Sequence, residues 1–289
     1  MSDARAAMFY DEMENEKTRC SLCPHNCMIS NGLTGLCGVR KNIDGKLYAM
    51  GYGRVSSIAL DPVEKKPLRM FHPGKNILSI GGFGCNLRCP FCQNSSISIE
   101  YGAALQKAAC YTPEQIAAYA KETIPGGNIG AAYTYNEPHI GYEFVYDCAM
   151  LVRDMGLSNV LVTNGYINRE PLEKLLPYID AMNIDLKGFT ESFYKALGGE
   201  LGSVKETIML AHQRCHVEIT TLIIPDENDN DDEIAALAEW IASLDPDIPL
   251  HLGRFFPRYK YSDKHPTSPE AVRRLRDIAR SHLNNVYTG

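Results

Sequence analysis

The sequence predicts an α/β fold built on a parallel sheet, and three observations carry that expectation. From Asn76 onward, short β-branched or apolar runs alternate with longer helical patterns, which implies parallel pairing through right-handed crossovers in a barrel or a doubly wound sheet. Polar and glycine-rich residues stand just after the runs, at the strand ends where a barrel of this type forms its active face. The chain has 289 residues and 45% hydrophobic content, enough to bury a large core. No repeat, low-complexity segment or Pro/Gly/Ser linker interrupts it. We therefore read one main domain, residues 51–289, preceded by a small four-cysteine extension, residues 1–50.

The expected strands are residues 77–80, 130–134, 159–163, 181–185, 217–224, 249–254 and a short 286–287. The expected helices are 113–123, 141–155, 170–176, 203–214, 231–244 and 269–283. The first strand runs into Gly84-Cys85-Asn86-Leu87-Arg88-Cys89-Pro90-Phe91-Cys92, and the second into Thr134-Tyr135-Asn136-Glu137-Pro138. Thr163-Asn164-Gly165 ends the third, where Asn-Gly also reads as an ordinary turn. The fourth closes on Asp185-Leu186-Lys187, whose alternation points Asp185 and Lys187 to one side of the sheet; a simple ion pair explains them equally well. The fifth is a buried strand, and the acidic run 226–233 after it reads as a helix-capping turn and solvated loop. The sixth delivers Arg254-Phe255-Phe256-Pro257-Arg258-Tyr259-Lys260-Tyr261, either an anionic or aromatic substrate surface or a plain amphipathic loop.

The formal charge of −6 and the lack of a basic stripe argue against a general nucleic-acid binder. The N-terminus reads as charged rather than as a signal core, and no apolar run is long enough to span a bilayer. A cytoplasmic protein with reduced thiols is expected. Seven of the ten cysteines fall into two groups; Cys110, Cys148 and Cys215 read as small buried hydrophobes.

Cys85, Cys89 and Cys92 offer three thiolates, and a cubane has four irons, so one iron keeps an open position for a substrate or cofactor. A closed site borrowing a fourth ligand is the competing reading. Cys20, Cys23, Cys27 and Cys37 make a C-x2-C-x3-C-x9-C arrangement that closes on itself. Tetrahedral zinc, our first expectation, and a fully ligated auxiliary iron–sulfur cluster both satisfy that count.

The spacing of Cys85, Cys89 and Cys92, with Phe91 before the last, resembles the radical S-adenosylmethionine (SAM) enzymes. The resemblance implies a partial (β/α)6 barrel, a 4Fe-4S cluster and bound SAM, cleaved to a 5'-deoxyadenosyl radical that abstracts hydrogen. Glu137 matches a Gly-Gly-Glu segment that binds the SAM ammonium, although Tyr135 and Asn136 replace the glycines; a helix cap is the alternative for Glu137. Thr163 and Asn164 match a segment near the SAM methyl and ribose in enzymes resembling pyruvate formate-lyase activating enzyme. Val162 replaces the aspartate that holds a cation there, so no such site is expected. Asp185 and Lys187 match an Asp-x-Lys element that contacts SAM, the lysine facing its carboxylate. The Cys-Ser-Leu-Cys-Pro-His-Asn-Cys segment, Asp61-Pro62-Val63-Glu64-Lys65-Lys66-Pro67-Leu68, Phe71-His72-Pro73-Gly74 and Tyr135-Asn136-Glu137-Pro138 together resemble the radical SAM member of the AmmeMemoRadiSam system. That likeness implies a flavodoxin- or ferredoxin-type electron donor, with Memo-type and AMMECR-type proteins as partners. A glycyl-radical-enzyme activase is the alternative reading. A non-enzymatic electron carrier or partner-binding protein is the third, and it leaves the open iron, Glu137 and the Asp185/Lys187 pair unexplained.

Overall fold

A computed structural model describes residues 5–289; the first four residues of the 1–50 extension, and with them most of the N-terminal stretch read above as lacking a signal core, lie outside it. The central sheet has eight strands: β1 (Ser57–Pro62), β2 (Asn76–Gly81), β3 (Asn128–Thr134), β4 (Ser158–Thr163), β5 (Ala181–Asp185), β6 (His216–Ile223), β7 (Leu250–Arg254) and β8 (Val286–Thr288). They lie side by side in chain order. β2 to β8 are parallel and β1 is antiparallel to β2. Sequential order follows from crossovers of one hand, each returning the chain one place further along the sheet.

The main helices are α1 (Pro113–Glu122), α2 (Tyr142–Asp154), α3 (Arg169–Leu175), α4 (Glu191–Ala196), α5 (Leu201–His212), α6 (Asp231–Leu244) and α7 (Pro269–Ala279). All seven expected strands and six expected helices form, with ends shifted by a few residues. α7 stops at Ala279 rather than 283. The acidic run is only partly loop: Asn230 caps α6, and Asp231, Asp232 and Glu233 fill its first turn, where carboxylates face the positive end of the helix dipole. β1 and α4 escaped the reading; β1 is a half-exposed edge strand with no buried face to set a pattern.

The sheet has two unlike faces. Toward the helices, the Tyr133 hydroxyl donates to Asn159 Oδ1 (3.1 Å) and Asn159 donates to the Ala149 carbonyl of α2 (2.8 Å). The other face carries a separate apolar cluster, Val63, Leu68, Ile77, Ala132, Val160 and Ala181. Alternation from Ile77 puts Ser79 and Gly81 on this second face. The segment after β1 seals its lower end. Glu218, fully buried, accepts from the Arg69 and Met70 amides (2.8 and 2.7 Å), from His216 Nε2 (2.9 Å) and from His251 Nε2 (2.6 Å). Burial opposes its charge, yet these four donors hold its pKa down to about 2.

The extension builds two three-stranded antiparallel sheets, one from Arg5–Ala6, Lys46–Ala49 and Arg40–Ile43, the other from Tyr10–Met13, Lys17–Cys20 and Met28–Ile29. Its Leu22, Ile29 and Leu47 join the same core as the helix layer. A buried ion pair fastens it to α2: Arg40 Nη1 donates to both Glu143 oxygens (3.0 and 3.1 Å), each side chain 1% exposed. Of the scattered cysteines, Cys148 is buried and Cys215 half-buried, but Cys110 is exposed; it sits on a two-residue strand paired only with Arg54–Val55.

Candidate functional site

Gly81 ends β2, and the loop that follows carries Cys85, Cys89 and Cys92. Gly84 takes φ +83°, and a Cβ there would stand 2.7 Å from the Cys37 carbonyl, so glycine is required for the backbone to pass. Asn136 pins the loop from β3: its Oδ1 accepts from the Gly82 amide (2.8 Å) and its Nδ2 donates to the Gly84 carbonyl (3.2 Å). Phe91 is buried and stacks on Phe193 of α4, ring centres 6.3 Å apart, with Tyr261 6.1 Å away. The Lys260 amide donates to the Pro90 carbonyl (2.9 Å), so the aromatic segment after β7 closes over the cysteine loop.

Thr163, Asn164 and Glu137 form one network beside Cys85. Glu137, 3% exposed, accepts through Oε1 from the Thr163 hydroxyl (2.7 Å) and the His139 amide (3.0 Å), and through Oε2 from the Asn164 amide (2.8 Å). Burial works against its charge, but these donors and the adjacent His139 ring outweigh it and hold the carboxyl below its ordinary range. Asn164 Nδ2 lies 3.5 Å from Cys85 Sγ and donates to Asn86 Oδ1 (2.9 Å). Glu137 therefore spans the β3 and β4 loops and aims Asn164 at the first cysteine. Two acceptor oxygens offer about four lone-pair directions, and the Asn164 amide is the one donor on Oε2.

Asp185 and Lys187 stand at the second cysteine. Their side chains pair at 2.9 Å and remain 35% and 17% exposed. Burial would lower the Lys187 pKa, but Asp185 and the Cys89 sulfur raise it above the ordinary lysine value. An ammonium has three hydrogens and this bond takes one. The ion pair anticipated from sequence is real, and it points to the cysteines.

Two groups went unread. Asn86 lies under the cysteine loop, donating to the Tyr166 carbonyl (2.6 Å) and receiving Asn164; a lone Asn inside a cysteine motif gives no signal of its own. The other is Asp61, Lys66 and Tyr135. Tyr135, at φ +71°, donates its hydroxyl to Asp61 Oδ2 (2.7 Å), and buried Lys66 pairs with the same oxygen (2.9 Å) while its Nζ sits 4.6 Å from the Tyr135 ring centre. Burial opposes the Asp61 charge, but Tyr135, Lys66 and Lys65 hold its pKa far below the usual range, while burial and Asp61 push Tyr135 up to about 12. Asp61 is in register with Ile77, so this polar group occupies the face away from the helices.

Burial pushes the Cys85 thiol up, with Glu137 and Cys89 adding to it, and burial pushes Cys89 up to about 11 against the opposing Lys187. Such thiols ionise at neutral pH only against a metal. Among the described residues no three His, Cys, Asp or Glu side chains converge on a point that would hold a single ion. Three spaced thiols with a donor on Cys85 fit a larger anionic body.

The radical SAM superfamily profile matches residues 79–241, more than half of the chain. The chain belongs to that superfamily. An uncharacterized protein of Methanocaldococcus jannaschii, MJ0808, is 43% identical over 99% of this chain and 85% of its own length. A second protein of that organism, MJ1227, named as a glycyl-radical enzyme activating enzyme, is 24% identical over 74% of this chain and 89% of its own. Among solved structures, QueE from Escherichia coli superposes with a TM-score of 0.52 at 17% identity over 83% of this chain and 94% of its own. Streptococcus suis SuiB bound to S-adenosylmethionine gives 0.54 at 15% identity over 71% and 48%. The fold is that of the superfamily, a central parallel sheet with helices. The superfamily implies a 4Fe-4S cluster and SAM, and the cysteine loop of this chain fits them.

Proposed function

We propose that this chain is a radical SAM enzyme, holding a 4Fe-4S cluster on Cys85, Cys89 and Cys92 and SAM beside it. The observation that supports this best is the convergence of the ends of β2, β3, β4 and β5 on one loop: Glu137 and Asn164 at Cys85, Asp185 and Lys187 at Cys89. When bound, the cluster and SAM supply a reductively generated 5'-deoxyadenosyl radical for hydrogen abstraction. The chain's residues hold and orient. Lys187, with hydrogens free beyond Asp185, faces the SAM carboxylate; Oε2 of Glu137 faces its ammonium; Asn164 donates toward Cys85 Sγ and fixes the thiolate that receives iron. Asn136 and Phe91 set the loop's height between β3 and α4. Asp61, Lys66 and Tyr135, on the sheet face away from the helices, are proposed to hold the substrate against the site.

Anaerobic reconstitution with dithionite tests this. The wild type should form 5'-deoxyadenosine from SAM, and a variant with Cys85, Cys89 and Cys92 all replaced by alanine should not. Equal rates from the two would refute the assignment.

The homology to MJ1227 and to the similarly named MJ1632 favours a second reading, in which the hydrogen comes from a glycine of a partner enzyme. The ordered match of four segments favours instead the AmmeMemoRadiSam reading, with Memo-type and AMMECR-type partners and a flavodoxin- or ferredoxin-type donor. An electron-paramagnetic-resonance glycyl signal in a candidate partner enzyme, formed only with this chain and SAM, would decide for the activase.

A further inference from the structure

Cys20, Cys23, Cys27 and Cys37 line one small pocket together with Leu22, Ile29, Arg40 and Ile140. Two features of this cavity point to an occupant. The first is Arg40, 1% exposed, whose Nη1 is spent on Glu143 and whose Nη2 is spent on the Met8 carbonyl, while its buried Nε has no partner among the described residues. A buried N–H of a guanidinium left unpaired is unfavourable, and an anionic acceptor in the cavity would relieve it.

The second is what lies next to it. His25 Nε2 is 2.7 Å from the Asn86 carbonyl oxygen, which ties the Cys23–Cys27 segment to Asn86, and the Asn86 side chain lies 4.0 Å from Cys85 Sγ. Arg88 donates to the Leu36 carbonyl, and Gly84 passes against the Cys37 carbonyl. Asn86 thus touches both segments, through His25 on one side and Cys85 on the other.

A four-thiolate zinc and a cubane both satisfy the ligand count. A cubane carries sulfides beyond its thiolate ligands, and these give the Arg40 Nε hydrogen an acceptor.

We infer that Cys20, Cys23, Cys27 and Cys37 bind a second iron–sulfur cluster, which passes one electron at a time from a one-electron carrier protein to the Cys85 site across Asn86. The carrier is oxidised by one electron and the Cys85 cluster reduced by one; the second cluster returns to its starting state. The relay rests on the radical SAM reading, but the cluster itself does not.

Two measurements on the full chain test it. After anaerobic reconstitution, the Cys85/Cys89/Cys92→Ala variant should keep half of the wild-type iron and sulfide, as should a Cys20/Cys23/Cys27/Cys37→Ala variant. About one zinc per chain, or no metal at all, in the first variant would overturn the cluster. If either variant fails to fold, Cys23→Ser provides the count, with a loss of up to half of the iron expected; wild-type content that matches the Cys85 site alone refutes the inference. For the relay, 5'-deoxyadenosine formation by the four-cysteine variant should match wild type with dithionite and be largely lost with reduced flavodoxin or ferredoxin. Equal loss with both reductants, or none with either, would sink the relay. Absence of 5'-deoxyadenosine from wild type with dithionite would instead refute the functional reading and leave the metal counts standing.

Discussion

Glu137→Gln is the sharpest test of the Glu137–Thr163–Asn164 network, because the substitution preserves shape and removes one acceptor. The carboxylate receives the Thr163 hydroxyl, the His139 amide and the Asn164 amide, all buried. Glutamine brings one oxygen and one NH2. With the oxygen left toward Thr163 and His139, the NH2 meets the Asn164 amide, donor against donor. An orphaned buried amide costs about 1–3 kcal/mol, and the surviving bonds fall from the roughly 1.5–3 kcal/mol of a charged acceptor toward about 1. The expected loss is therefore on the order of 3 kcal/mol, which for a chain of this size lowers Tm by about 5–10 °C. Because the carboxyl pKa is held below its ordinary 4.5, the advantage of wild type is complete above that pH and disappears as pH falls through the folded-state value. Asn164, freed from Oε2, also loses its aim at Cys85. If Oε2 holds the SAM ammonium, SAM binding weakens by roughly ten- to a hundredfold, one charge-assisted contact's worth. Anaerobic melting followed by circular dichroism and an anaerobic SAM titration read the two effects separately. Wild-type Tm would refute the bridging role; a lowered Tm with wild-type SAM affinity would refute the ammonium contact.

Four further outcomes are expected. Lys187→Met should retain iron and lose SAM affinity by about ten- to a hundredfold; an unchanged titration would return Lys187 to its pair with Asp185. Asn164→Ala removes a donor that stabilises the more negative, reduced cluster, so the midpoint potential of the Cys85 site should fall, and a rise or no change in a dye-mediated EPR titration contradicts the 3.5 Å contact. Glu218→Gln should cost about 3 kcal/mol at pH 7 by the depression of its pKa from 4.5 to about 2. That difference is present above pH 4.5 and lost as pH falls toward 2, so urea titrations of wild type and variant should converge there; a gap independent of pH would show that the carboxylate charge is not what holds the 69–70 segment. Gly84→Ala forces a side chain into the left-handed region and against the Cys37 carbonyl, so both cysteine loops should lose metal together, and a variant with wild-type metal content would show that the two loops do not press on each other there.

Most of the sheet was legible because the parallel strands β2 to β6 are largely buried, and their apolar runs are the direct record of that burial. The functional loops were legible for a related reason: thiols, a carboxylate and a lysine at strand ends have no packing role to hide behind. β1 was not, since an edge strand leaves both faces half-exposed and no period marks it. Nor was the pairing of Arg40 with Glu143, 103 residues apart in the chain, because no local pattern records a partner brought near by folding.

The sequence by itself determined the class of fold, the two cysteine sets and the position of Glu137, Asn164, Asp185 and Lys187 just after neighbouring strands, because strand alternation and motif spacing are local properties of the chain. Only the tertiary structure decided what those residues touch. It spent Glu137 on Thr163, His139 and Asn164, tied Lys187 to Asp185 beside Cys89, gathered Asp61, Lys66 and Tyr135 into one polar group, and set the two cysteine sets on either side of Asn86. Each of these depends on register across the sheet and on the path of loops between strands, and a buried polar group takes whichever partner that packing supplies.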